Sequence, residues 1–347
     1  MSALNNLILE IRERQRIKPS RSDEPAAVWT GRDHYAGTIP DTLTMIFRTS
    51  GCWWGKVGGC TMCGFVYDRA TNPPALTDLE AQYEKALKKA DRLDSFMLKI
   101  FTSGSFLDER EIDRQARTAL LGRMAEDRRI SKVIVETRPE FVTQEALEDC
   151  VGALGDKPFE IAIGLETSSD TIRSRTINKG FTLAAFRRAV SAARQEGVSV
   201  KAYLLLKPPF LSEKEAIDDI LRTIDDIADD VQTVSINLCN VQRGTLVEYL
   251  WERGEYRPPW LWSIVEILKR AGRKHPGLVI TSDPVGAGSK RGPHNCRECS
   301  RDIADVIRAF SLSQDLSLLD GLQCECKELW ETVLELDGRT FGCPIRE

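Results

Sequence analysis

From residue 43 onward the chain alternates between short apolar runs and longer stretches of helical periodicity, and this alternation limits the fold more than any other feature. Strand-like runs fall at 43–47, 96–101, 132–136, 160–165, 200–206 and 234–238, with helical patterns at 78–92, 109–127, 144–154, 183–196 and 213–227. Strands separated by helices of that length are joined by crossovers, so they lie parallel in a barrel or an open α/β sheet. Six strands fall short of the eight of a complete barrel, which makes a partial (βα)6 barrel of TIM type the expected fold. Ahead of it, a helix is expected over 4–16, with Leu4, Leu7, Ile8 and Ile11 on one face. Its other face carries Arg12, Arg14 and Arg16, followed by Lys18 and Arg21. That face reads as solvated or as an RNA contact. Beyond about residue 285 the pattern becomes mainly helical and cysteine-bearing. The expected division is a lead-in over 1–40, the partial barrel over 41–285 and a small Cys-rich domain over 286–347.

Three cysteines sit directly after the first strand-like run, in Gly51-Cys52-Trp53-Trp54-Gly55-Lys56-Val57-Gly58-Gly59-Cys60-Thr61-Met62-Cys63-Gly64. Three thiolates on a four-iron cluster leave one iron without a protein ligand, free to bind and reduce a small molecule. Zinc is the competing reading, because Cys60-x2-Cys63 has ligand spacing and Cys52 supplies a third thiol. Disulfides are not expected: there is no secretory signal, and ten cysteines in 347 residues do not make a small secreted scaffold. Free thiols in that number suit a reducing cytoplasm, and no apolar run approaches membrane-spanning length. A net charge of −4 does not advertise a nucleic-acid binder, although local patches set the binding field.

The expected carboxyl ends of the strands, where barrels of this type keep their working residues, are unusually polar. They carry Thr102-Ser103-Gly104-Ser105-Phe106, Glu136-Thr137-Arg138-Pro139, Gly164-Leu165-Glu166 and Gln242-Arg243-Gly244-Thr245. The small residues let backbone amides approach a ligand. A carboxylate at an inward strand end needs a partner, so Glu136 and Glu166 either bind ribose or amino groups or salt-bridge Arg138, Arg173, Arg175 or Lys201.

In the tail, Cys296-x2-Cys299 followed by Cys324-x-Cys326 reads as a four-thiolate zinc site, with His294 and Cys343 as alternate ligands. A second iron–sulfur cluster and inert buried thiols are the other readings. Cys150 and Cys239 stand alone and read as core residues. Trp251, Trp260 and Trp262 lie among Arg257, Lys269, Arg270, Arg273, Lys274, Lys290 and Arg291. Such a set either stacks on unpaired bases or packs a core beneath a solvated surface.

Taken together, the cysteine loop and the four strand-end motifs resemble the radical S-adenosylmethionine (SAM) superfamily, in the branch similar to the Elp3 catalytic subunit, over roughly residues 40 to 255. The loop spacing is longer than the C-x3-C-x2-C common there. By position, the resemblance implies that Cys52, Cys60 and Cys63 hold a [4Fe–4S] cluster. Ser103, Gly104 and Ser105 would lie near the methionyl amine of SAM, Glu136 near the ribose, and Glu166 and Arg175 near the methionyl group. Reductive cleavage of SAM would give a 5′-deoxyadenosyl radical.

With its Cys-rich tail included, the whole chain is similar to the radical enzymes of archaeosine biosynthesis. That likeness implies carbon–nitrogen lysis of a lysine adduct of preQ0 at position 15, in the D-arm of archaeal tRNA. It also implies an electron donor and a partner, the lysine-transferring archaeosine synthase subunit. Asp68, Glu140 and Glu166 are the carboxylates considered for the lysine ammonium. Another radical tRNA-modifying enzyme, or a non-enzymatic zinc-binding RNA adaptor, are the alternatives.

Overall fold

The computed structural model describes residues 3–15 and 20–337, so Arg16, Lys18 and Cys343 lie outside the described residues. Eight strands form one sheet in the order of the chain. They are β1 (Ala27–Arg32), β2 (Asp41–Ile46), β3 (Phe96–Phe101), β4 (Ile130–Thr137), β5 (Phe159–Glu166), β6 (Ser199–Leu206), β7 (Thr233–Leu238) and β8 (Val279–Thr281). From β2 to β8 all pairs are parallel, and β1 runs antiparallel to β2. The six expected strands are β2 to β7, and the curled half-barrel they form carries an extra strand on each edge. Both extra strands lack a sequence signal: β1 is a short run ending in Gly31 and Arg32, and β8 has three residues.

Side chains alternate across the sheet as a period of two requires. Leu43 and Met45 on β2 are fully buried among the helices, whereas Thr42 and Thr44 face the concave side. The helices follow the expected pattern with shifted ends. The expected 78–92 helix runs Leu76–Leu87 and continues as a single 3-10 turn, Lys88–Ala90. The expected 109–127 helix starts only at Arg114, where Asp113 caps it by accepting from the Ala116 N–H. The residues ahead of that cap form a turn and release Glu111 into the site.

The amino ends of the parallel strands close the barrel floor with charge. Lys99, Lys132, Glu160 and Lys201 point inward there, and Asp33, just past β1, enters among them. In the tail, Ile303, Ile307 and Phe310 of the helix Ser300–Ser313 join the same apolar cluster as Val234 and Ile236 of β7. Trp330 does so from the helix Cys326–Asp337. No helix among the described residues is long and apolar enough to cross a membrane.

Candidate active site and metal centre

The cysteine loop leaves the carboxyl end of β2, and three separate parts of the chain fix its path. Arg12, on the helix Ala3–Glu13, donates to the carbonyls of Gly55 (2.5 Å), Cys63 (3.1 Å) and Cys60 (3.3 Å). Gly59 makes room for this guanidinium: a Cβ there would stand 2.5 Å from an Arg12 nitrogen, and its φ is +89°. Arg12 is therefore buried against the loop and does not belong to a solvated or RNA-facing charged surface. On another side, Thr61 donates through its hydroxyl to the Thr176 carbonyl (2.7 Å), and the Asn178 amide donates to Gly59 (2.8 Å). Both partners belong to a π-helical turn, Arg173–Ile177, and its left-handed cap Asn178. The third support is the Gln242–Thr245 segment, where the Gln242 side chain accepts from the Gly64 N–H (2.6 Å).

Cys52, Cys60 and Cys63 all stand at this mouth, none fully buried. Burial first, and the neighbouring thiol of Cys60 second, push the Cys63 thiol up to about 12, and burial raises Cys52 as well. Without a cation to hold them the Cys52 and Cys63 thiols stay protonated, and a bound metal deprotonates such groups outright. The donor set of three soft thiols suits an iron–sulfur cluster with one open iron.

The turn after β3 meets this loop at contact distance. A Cβ on Gly104 would lie 2.6 Å from Cys52 Cα, so only glycine allows the approach. Glu111 ties the two together, accepting from the Thr49 hydroxyl (2.6 Å) and from the Ser105 N–H (2.8 Å). Burial pushes its carboxyl up to about 7. The Ser103 hydroxyl is buried with no hydrogen-bond partner among the described residues, the kind of orphan that a bound polar ligand satisfies. Ser105 is fully buried, and its hydroxyl accepts from the Arg138 N–H (3.0 Å).

Glu136 is half-buried at the end of β4, and its carboxylate makes no hydrogen bond or ion pair with any described residue. Burial pushes its carboxyl up to about 7 against the pull of Lys179. Glu166, at the end of β5, pairs with Lys179. Burial would lower the Lys179 ammonium, but Glu166 and Cys60 outweigh it and hold it above the usual lysine value. Lys179 and Glu111 were not singled out from the sequence. Lys179 lies past the strand end it serves, and Glu111 falls inside an apparent helix. Arg175 is exposed on the π-helical turn, while Arg173 beside it is buried and bound to the Leu165 and Thr167 carbonyls. Of the carboxylates considered for an ammonium, Glu140 pairs with Arg138 (2.6 Å), Glu166 is taken by Lys179, and Asp68 is exposed.

The tail forms a second centre. The sulfurs of Cys296, Cys299, Cys324 and Cys326 all lie within 4.8 Å of one another. Neighbouring pairs are 3.5 Å (Cys296 to Cys324) and 3.6 Å apart (Cys296 to Cys299, and Cys299 to Cys326). A tetrahedron of metal–sulfur bonds about 2.3 Å long has edges of about 3.8 Å, so the set matches a single ion. A cluster, with each thiolate on its own iron, needs a wider cage. His294 is outside the set, its Nδ1–H donating to the Gly292 carbonyl (2.8 Å). Trp262 Nε1–H donates to Cys326 Sγ (3.3 Å) and Asn295 Nδ2 to Cys299 Sγ (3.6 Å), hydrogen bonds that stabilise thiolates.

Trp260 and Trp262 are core residues and cannot stack on bases. Several of the nearby cations are also engaged: Arg257 holds the His294 carbonyl (2.7 Å), Arg291 pairs with Glu248 (2.6 Å), and Lys269 pairs with Asp320 (3.1 Å). Cys150 and Cys239 are buried, as expected for core residues.

A half-barrel with a three-thiol loop at the carboxyl end of its first parallel strand defines the radical SAM class, and the family model "Radical SAM superfamily" matches residues 46–227. Archaeosine synthase subunit beta of Methanosarcina acetivorans is 59% identical over 343 residues, spanning 99% of this chain and 99% of that one. The protein of the same name from Thermococcus kodakarensis is 42% identical, over 88% of this chain and 96% of its own length. Among solved structures, the Elp3 of Methanocaldococcus infernus, lacking its N-terminus, aligns with 66% of this chain and 57% of its own at 16% identity and a TM-score of 0.49. The chain belongs to the radical SAM superfamily and, within it, to the archaeosine synthase subunit beta family.

Proposed function

We propose that this chain is the radical lyase that releases archaeosine from a lysine adduct of preQ0 at position 15 of archaeal tRNA. It would work in the cytoplasm beside a lysine-transferring archaeosine synthase subunit and an electron donor. The observation that carries the reading is full-length identity of 59% to an archaeosine synthase subunit beta. The three-thiol loop supports it by opening onto the barrel mouth.

Cys52, Cys60 and Cys63 would hold a [4Fe–4S] cluster, which when bound supplies the electron that cleaves SAM. The residues around it have separate tasks. The unpartnered Ser103 hydroxyl offers a hydrogen bond to the methionyl end of SAM. The Glu136 carboxylate, also without a partner among the described residues, accepts from ribose hydroxyls once it is ionised. Lys179 pairs with Glu166 and orients it beside the methionyl group. Arg175 is assigned to the methionyl carboxylate, which requires its exposed side chain to turn inward. Glu111 holds the Ser103–Ser105 turn against the cysteine loop, so that SAM and the cluster meet in a fixed geometry. The tail cysteines would hold one structural zinc, a role that suits four closed thiolate ligands.

Anaerobic reconstitution with iron, sulfide and zinc analysis tests this directly. About four irons and one zinc per chain are expected. Release of 5′-deoxyadenosine from SAM should be lost in Cys52→Ala, and archaeosine should form on lysine-modified tRNA. Zinc at the Cys52 loop with no SAM cleavage would overturn the reading.

A further inference from the structure

Trp29 is 45% exposed, and it stands on the concave wall of the half-barrel. The register shows this: Trp29 pairs directly with Thr44, which faces the barrel interior, whereas its neighbour Val28 pairs with Met45 and packs against the helical layer. Across β2, Phe101 stands opposite Ile46, and its ring lies 6.5 Å from that of Trp29, tilted by 50°. Two aromatic rings therefore line the inner wall at the edge where the barrel stays open.

Phe101 is also the last residue of β3, and the chain passes from it straight into Thr102-Ser103-Gly104-Ser105. The aromatic wall is thus continuous with the turn that carries the unpartnered Ser103 hydroxyl. Asn237 on β7 shares the concave side, and it is exposed although it sits on an interior strand. Tyr203 on β6, half-buried, pairs with Ser235, two residues before Asn237 on the same face of β7. An apolar ring face with amide and phenol groups across the cavity complements a planar heterocycle, which stacks with its faces and hydrogen-bonds with its edges.

We propose that Trp29 and Phe101 form the stacking platform that receives the flipped-out base of an RNA substrate. The proposal rests on the RNA-modifying reading above and adds to it the residues that hold the base. Strand β1 lies beyond the six strands expected from the sequence, so the platform is a feature added to the barrel edge. A base leaving a folded RNA loses its stacking neighbours, and an aromatic wall restores one of them.

The test uses full-length reconstituted protein, wild type against Trp29→Ala and Trp29→Phe. Probes are lysine-modified tRNA and the same tRNA with 2-aminopurine at position 15. Cluster content and RNA-independent 5′-deoxyadenosine release establish that each variant is intact, and both are expected to be unchanged. Trp29→Ala is expected to lose about 5- to 150-fold in RNA affinity or in kcat/KM for tRNA, with Trp29→Phe retaining most of it. Aminopurine fluorescence should be quenched by wild type and not by Trp29→Ala.

Turnover with no dependence on Trp29 overturns the platform and leaves the lyase reading standing. Trp29-dependent RNA binding without turnover supports the platform and overturns the lyase reading. If Trp29→Ala instead weakens only the complex with the partner subunit, the face is a protein interface and the platform falls. No binding of either RNA by wild type overturns both readings.

Discussion

An arginine that donates to three carbonyls of one loop fixes the backbone of that loop, and Arg12 does so for Gly55, Cys60 and Cys63. Cys60 and Cys63 are two of the three candidate cluster ligands, so the spacing of their sulfurs depends on a residue some forty to fifty positions upstream. Arg12→Ala removes the guanidinium donor from all three carbonyls, leaving Cys60 only the Cys63 N–H (3.4 Å), and opens a cavity against Gly59. A loss of about 2–4 kcal/mol in stability is expected, from several charge-assisted hydrogen bonds lost at once. Iron retained after reconstitution should fall with it, and Arg12→Lys should recover only part because one ammonium cannot span three carbonyls. Urea unfolding together with iron analysis checks this, and an unchanged iron content in Arg12→Ala would refute it. The role was hidden in the sequence. Arg12, Arg14 and Arg16 look alike on a helix, and only the fold turns the first of them toward a loop. The cysteines themselves were legible because their spacing and their place after a strand both follow from local sequence.

Among the elements, those that carry their own pattern were read correctly, and those defined by their neighbours were not. Strands β2 to β7 announce themselves through apolar runs bounded by helices. Strand β1 does not, since its stability comes from antiparallel pairing with β2, and β8 is too short to show a period. The π-helical turn Arg173–Ile177 could not be foreseen either, because it is held by tertiary contacts such as Arg173 to Leu165 and Thr167. In the tail, the pairing of two cysteine motifs was legible from spacing, but its consequence for the fold was not. The tetrad joins the amino ends of the helices Ser300–Ser313 and Cys326–Asp337, and Trp262 links it to the helix Leu261–Lys274. Since these helices share one apolar cluster with the sheet, metal loss should destabilise the whole molecule rather than release the tail alone. Stripping the metal with a chelator, or Cys299→Ser, should lower the melting temperature by about 5 °C or more in a single calorimetric transition. Two separated transitions would show that the tail folds as an independent unit.

At the scale of the molecule, the half-barrel is closed at its floor by charges that no local pattern identifies as a set. Lys99, Lys132 and Lys201 face Glu160 and Asp33, so three cations meet two anions in a space largely removed from water. Burial alone would raise the Asp33 carboxyl, but Lys201 and Lys99 outweigh it and hold the group at about 2. A carboxyl held below its unfolded value near 3.8 contributes stability that is complete above that value. The contribution is lost as pH falls from there toward 2. Asp33→Asn removes one of the two anions and leaves Lys99 and Lys201 poorly compensated. The variant should be less stable than wild type by about 3–5 kcal/mol at pH 7, with a smaller deficit at pH 3. Urea midpoints at the two pH values measure this. A second substitution separates charge from packing: Lys99→Met in the Asp33→Asn background removes the surplus cation and should restore part of the loss. If the double variant is no better than the single one, the hairpin that carries Asp33 matters for its shape rather than its charge, and the floor is not held by this network. Because Asp33 follows directly on β1, the same network anchors the strand that presents Trp29, and its loss should weaken RNA binding while the cysteine loop at the opposite end of the barrel keeps its iron.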